Sequence, residues 1–150
     1  MPPHGQILIV ESDPSVQAVL GALVRHNKLQ PVIAGDGTSA LMWLSAEEFD
    51  VILLELLLPR LNGMDVLRHI AGSMPLLLER IIVVTAAPES LYCDCPMVAD
   101  TRRVLQKPVE LDVLEEELLA CYAERLRDAE RKPPHSAARL LAAHVKRVAN

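Results

Sequence analysis

Short runs of unbroken apolar residues alternate along the chain with longer stretches in which apolar positions recur at helical spacing. The runs are Ile7 to Val10, Val32 to Ala34, Val51 to Leu54, Ile81 to Val84 and the shorter Val104 to Leu105. Continuous apolar strands separated by helices are the pattern of a parallel sheet covered on both faces. Between the runs, Asp13 is placed to cap a helix that starts at Pro14 and turns Val16, Leu20, Leu23 and Val24 to one side. A second helix is predicted from Thr38 to Glu47 with Leu41 and Leu44 inward. A third follows Gly63 with Val66, Leu67 and Ile70 inward, and the last aligns Leu111, Leu114, Leu118 and Cys121. Pro96 predicts that the helix before the fifth run is short or irregular. Five strand and helix pairs result.

Pro31 heads the second run, and a proline cannot donate to a central ladder, so strand two is expected at an edge. The fold class that accommodates this is α/β, a flavodoxin-like (βα)5 doubly wound parallel sheet of order 2-1-3-4-5. Ligands of such sheets sit beyond the carboxyl ends of the strands, near the switch point. Candidate chemistry therefore belongs in the loops after Val10, Leu54, Val84 and Leu105.

Composition narrows the class. The 150 residues are 51% hydrophobic but only 3% aromatic, so the core is built from aliphatic side chains. No apolar run approaches the roughly 20 residues that span a bilayer, and the amino terminus lacks a signal-peptide pattern; no membrane partner and a cytoplasmic location are expected. The net charge of −5 hides a division: residues 1–130 hold ten basic and twenty acidic side chains, while five Lys/Arg and no acid follow. An acidic body makes nucleic acid an unlikely partner. Cys93, Cys95 and Cys121 match neither a redox pair nor a zinc set, and the five histidines lack ligand spacing.

At the predicted strand ends stand Glu11, Ser12 and Asp13, then Glu55, then Thr85, then Lys107 followed by Pro108. A buried carboxylate such as Glu55 needs partners, and Lys107 and Thr85 are the groups able to neutralise it and to donate to it. No nucleotide-binding or hydrolase motif occurs, so an enzyme is not expected.

Through "ILIVESDPSV", "DVILLELLLPRLNGMDVL", "IIVVTA" and "VLQKPVELDVL" the chain resembles the receiver domains of bacterial two-component response regulators, from about Gln6 to Arg127. The resemblance implies an acid pair binding Mg²⁺ after strand one, a phosphoacceptor aspartate after strand three, and a hydroxyl and a lysine that sense the phosphoryl group. Those roles fall on Glu11, Ser12 and a recruited Asp13 for the metal, on Glu55 for the phosphoacceptor, and on Thr85 and Lys107 for sensing. The aromatic that moves with the switch in that family is replaced by Val104.

Glu55 in place of aspartate and Ser12 in place of an acid imply weak or lost Mg²⁺ binding and a pseudo-receiver. The expected function is phosphorylation-independent signalling through protein contacts with a histidine kinase or a downstream effector, with a homodimer left open. A working Mg²⁺-dependent phosphoacceptor is the alternative, and a flavodoxin-like small-molecule binder a more distant one. The domain is expected to occupy residues 1–128. Residues 129–150 are then a basic tail with a short helix that Ser136 would cap, too short for a DNA-binding output domain; a stand-alone receiver is expected.

Overall fold

The computed structural model describes residues 5–131. Its five strands are β1 (Gln6–Val10), β2 (Gln30–Ala34), β3 (Val51–Leu54), β4 (Ile81–Thr85) and β5 (Arg103–Gln106). They form one parallel sheet of order β2-β1-β3-β4-β5, with all four neighbouring pairs in parallel register. The flavodoxin-like order expected from the sequence is therefore the observed one. Pro31 lies on β2, which pairs only with β1, so its missing N–H interrupts no second ladder.

Five α-helices among the described residues pack on the sheet: α1 (Pro14–His26), α2 (Gly37–Ala46), α3 (Gly63–Ser73), α4 (Pro96–Ala99) and α5 (Leu111–Arg131). Side chains alternate across the strands, and this explains the unbroken apolar runs. Leu8, Val10, Ile52, Leu54, Ile81 and Val83 point to one face, under α2, α3 and α4. Ile7, Ile9, Val51, Leu53, Ile82 and Val84 point to the other, where α1 contributes Leu20 and Val24 and α5 contributes Leu114, Leu118 and Cys121. At about 25 cal/mol per Å² of apolar surface removed from water, these two layers are the main source of stability.

Asp13 caps α1 as expected, its side chain accepting from the Ser15 N–H at 2.8 Å, with Pro14 at the first helical position. The second helix begins and ends one residue earlier than predicted, because Asp36 is its cap and accepts from the Ser39 N–H. Leu111 does not join the inward stripe of α5; it is 46% exposed, standing at the first position of the helix. α4 is four residues long. Pro96 opens it rather than breaking it, since the first helical residue needs no N–H. α5 runs through Arg131, past the boundary expected at 128. The tail beyond it, including the helix expected after Ser136, lies outside the described residues.

Candidate functional site

Glu55 follows β3 directly and is only 4% exposed. Its carboxylate is filled from all sides. Oε1 accepts from the Leu57 N–H at 2.8 Å and from the Thr85 hydroxyl. Oε2 accepts from the Ala86 N–H at 3.0 Å and from the Lys107 ammonium at 2.9 Å. A carboxylate has about four lone-pair positions, and each now has a donor.

Lys107 reaches this point because its backbone N–H bonds the Thr85 carbonyl at 2.8 Å, extending the β4 and β5 pairing by one step. The Lys107–Pro108 peptide that follows is cis. The ammonium is also bonded to Glu11 Oε1, so the expected pair is a triad with the closer contact to Glu11. Glu11 is 3% exposed, and its second oxygen accepts from the Asp13 N–H at 3.0 Å. One ammonium thus bridges two buried carboxylates from different strands. Buried charges persist only when paired and hydrogen-bonded, and here both conditions hold.

Burial acts to raise the Glu55 carboxyl. The Leu57 N–H, the Thr85 hydroxyl, the Lys107 ammonium and the Ala86 N–H outweigh it and hold the group below its ordinary value. Burial likewise acts to lower Lys107, and the hydrogen bonds and charges of Glu11 and Glu55 raise it instead. The signs define a pH window. Glu55 stabilises the fold fully above its ordinary 4.5 and loses that contribution as pH falls through its lower folded value. Lys107 stabilises fully below 10.5 and loses its contribution as pH rises through its higher folded value. Urea unfolding is expected to show flat stability across neutral pH with a decline in acid. Glu55→Gln should reduce that acid decline; an unchanged acid limb would show that other carboxyls carry it.

The remaining sequence candidates do not join this cluster. Ser12 is exposed and lines an open groove of about 550 Å³ together with Leu57, Pro59, Ala87 and Leu91. Asp13 is spent on the α1 cap. Val104 lies on β5, packed against the core layer under α4. These placements bear on the metal that the resemblance implies. Ser12 offers no charge, Asp13 is engaged elsewhere, and the two buried carboxylates already share a cation. Among the described residues no three His, Cys, Asp or Glu side chains gather to hold a metal ion. The residues present do not fit Mg²⁺.

Several contributors were not identified from the sequence. Gly63 opens α3 directly against the Glu55 backbone: a Cβ there would lie 2.6 Å from Leu56 Cα and collide with the Glu55 carbonyl oxygen. Its N–H bonds the Leu56 carbonyl at 2.9 Å, and this folds the loop back so that the Leu57 N–H faces Glu55. The loop is also tied to α2, where Gly37 donates to the Leu61 carbonyl at 3.0 Å and Arg60, at φ 65°, pairs with Asp36 at 3.1 Å. Beyond Thr85, Ala87 N–H donates to the Thr85 hydroxyl at 3.0 Å, Gln106 Nε2 donates to the Ala87 carbonyl at 2.6 Å, and the Tyr92 hydroxyl donates to Gln106 Oε1 at 2.7 Å. Backbone donors carry no side-chain signature. Tyr92 had one signal, as one of only two tyrosines in an aromatic-poor chain.

A parallel 2-1-3-4-5 sheet carrying an acid, a hydroxyl and a lysine at its carboxyl rim defines a signal-receiving domain. The family model described as "Response regulator receiver domain" matches residues 7–119, and the chain belongs to that family. It is 29% identical over 128 residues to the "DNA-binding response regulator MtrA" of Mycolicibacterium smegmatis, a match covering 85% of this chain and 53% of the relative. The chain thus spans about half the length of that curated relative. Among solved structures it resembles the signal receiver domain of a putative Luxo repressor protein from Vibrio parahaemolyticus, with TM-score 0.76 and 19% identity over 87% of this chain and 98% of that one. It also resembles response regulator protein TrrA from Thermotoga maritima in complex with Mg²⁺-BeF, with TM-score 0.68 and 21% identity over 78% and 98%. These two likenesses establish the fold. No helix among the described residues is long and apolar enough to cross a membrane.

Proposed function

We propose that this receiver acts in two-component signalling without phosphotransfer, as a non-enzymatic binding module held in one state by its own side chains. The observation that carries the reading is the saturated carboxylate: every acceptor position of Glu55 is filled, and its cation is an ammonium shared with Glu11. An acyl phosphate would require Glu55 to give up a lone pair and break at least one of these bonds. The partners are signalling proteins, a histidine kinase or a downstream effector, engaged through protein contacts. The position of the charge suits permanent mimicry of a modified site, because the longer glutamate side chain draws the Thr85 hydroxyl to itself without a phosphoryl group.

Acetyl phosphate with Mg²⁺, followed by intact-mass measurement, tests this directly. Wild type is expected to show no added phosphoryl mass. A double substitution, Glu55→Asp with Ser12→Asp, shortens the acid away from its donors and restores an oxygen anion for the metal; it is expected to gain the mass. A gain on wild type that disappears in Glu55→Gln would make this chain a working Mg²⁺-dependent phosphoacceptor and overturn the proposal.

A further inference from the structure

At the pole opposite the acid site, where the strands begin, two arginines from different elements converge on one stretch of backbone. Arg80 ends the short 3-10 helix Pro75–Arg80 that leads into β4, and its Nη1 donates to the Phe49 carbonyl at 3.3 Å. Arg125 comes from the last two turns of α5, and its Nε stands 3.6 Å from Asp50 Oδ1. Residues 49 and 50 are adjacent, so both guanidiniums face one place. Asp50 cannot serve them both, because it is pinned to β1: its Oδ2 accepts from the Gln6 N–H at 3.1 Å, and its own N–H donates to the Gln6 carbonyl at 2.9 Å. At 3.6 Å its other oxygen is too far for a hydrogen bond to Arg125.

The place is short of acceptors. Arg125 Nε is the one buried side-chain nitrogen or oxygen among the described residues that lacks a hydrogen-bond partner. Among those residues the Phe49 carbonyl is the single acceptor for the Arg80 side chain. Arg102, just before β5, shows the contrast. It gives Nε to Glu117 at 3.2 Å and both terminal nitrogens to Glu124, and these carboxylates, Glu124 foremost, raise it above its ordinary value. Arg80 moves the other way. Burial, and then the like charge of Arg125, hold it below its ordinary value, and Asp50 and Glu48 offset them only in part. Glu48 is exposed, so water and salt weaken its field.

We propose that Arg80 and Arg125 form a binding site for a small phosphate-class oxyanion, held between the two guanidiniums beside Asp50. Each guanidinium is a planar fork of donors, and such forks pair with carboxylate or phosphate through two parallel bonds. The geometry selects the anion. Two forks that arrive from different elements need acceptors outside a single plane, and two positive charges beside one carboxylate favour a dianion. A tetrahedral phosphate meets both needs; a planar monoanion, of which Asp50 is already an example, meets neither. Filling the site gives the buried Nε a partner and joins the last turns of α5 to the starts of β3 and β4. Arg125 lies past residue 119, where the match to the family model ends, so the family pattern does not specify it. The site is about 15 Å from the acid cluster, five residues along β1 at about 3.3 Å each, and does not depend on the state of Glu55.

Nuclear magnetic resonance on the isotope-labelled full chain tests this, because arginine Nε–H groups and backbone amides report separately. Potassium phosphate at neutral pH is titrated against potassium chloride of matched ionic strength. Phosphate is expected to shift the Arg125 and Arg80 Nε–H signals and the Gln6 and Asp50 amides along one saturable curve, with a dissociation constant of about 1–10 mM. The Arg102 Nε–H, already held by carboxylates, should stay in place, as should the Leu57 and Ala86 amides at the acid site. Sulfate should compete, and acetate should bind at least about tenfold more weakly. Arg125→Gln should weaken phosphate binding about tenfold, and Arg125→Lys, which keeps the charge but loses the fork, about threefold. Arg125 is partly open to solvent, so both variants leave the core intact. The absence of any shift, or shifts that grow linearly with salt at every arginine, would leave only charge screening. Saturation unchanged in Arg125→Gln would place the anion elsewhere, and acetate binding as tightly as phosphate would make the ligand a carboxylate. Each of these results overturns the proposal.

Discussion

Lys107→Met is expected to cost about 3 kcal/mol at neutral pH, the lower end of what removing one partner of a buried charge pair costs. The lower end applies because the Lys107 side chain is itself 22% exposed, while the two acids it leaves behind are buried. Without the ammonium, Glu11 and Glu55 face one another across the site with no counter-charge. Their backbone donors remain, from Asp13, Leu57 and Ala86, but these do not cancel like-charge repulsion. Two dependences follow from that cause. The deficit should shrink as pH falls, because protonating either acid relieves the repulsion. Millimolar Mg²⁺ should also raise the unfolding midpoint of the variant and leave that of wild type unchanged, since only the variant has paired carboxylates free for a cation. Urea unfolding at neutral and mildly acid pH, with and without MgCl₂, measures both. Equal stability of variant and wild type at neutral pH would mean that the triad carries no net charge interaction.

The second large effect is expected at Gly63→Ala, also about 3 kcal/mol, at the upper end for overpacking. A Cβ there meets the backbone of Glu55 and Leu56, and backbone atoms cannot rotate aside as a flexible side chain would. Relief requires the loop after β3 to move, and that loop carries the Leu57 N–H on which Glu55 depends. Gly72→Ala in the same helix is the matched comparison. Nothing lies within 4 Å of a Cβ at that position, so the substitution should stabilise by about 0.4–1 kcal/mol through the unfolded chain. Denaturant midpoints for the pair decide the matter. A Gly63→Ala midpoint as high as that of Gly72→Ala would show that the loop after β3 is free to relax.

Much of the architecture was legible because a parallel sheet buried on both faces has no choice but to show continuous apolar runs. Ile7 to Val10 read as a strand for the same reason that it is one: alternate side chains serve two core layers, and both are dry. Pro31 placed its strand at the edge through the absence of a donor, and Asp13 with Pro14 marked a helix start through capping chemistry local to four residues. Pro96 likewise announces a short helix, and α4 is four residues long; that the proline stands at the first helical position, where no N–H is needed, shows only in the observed start of α4 at Pro96.

Spacing alone also brought Glu11, Glu55, Thr85 and Lys107 to one rim, because in a parallel sheet every strand ends on the same side. Their connectivity was another matter. That Lys107 bridges both acids, that Ser12 turns to a groove and Asp13 to a helix end, and that Tyr92 reaches Gln106 depend on distances between strands and loops far apart in the chain. Hydrogen bonds are decided within a few tenths of an ångström, whereas side-chain periodicity locates a residue only to a face and an end. The order of apolar and polar residues was therefore sufficient for the sheet and its rim. Which donor meets which acceptor there was settled by the tertiary packing of four separate loops.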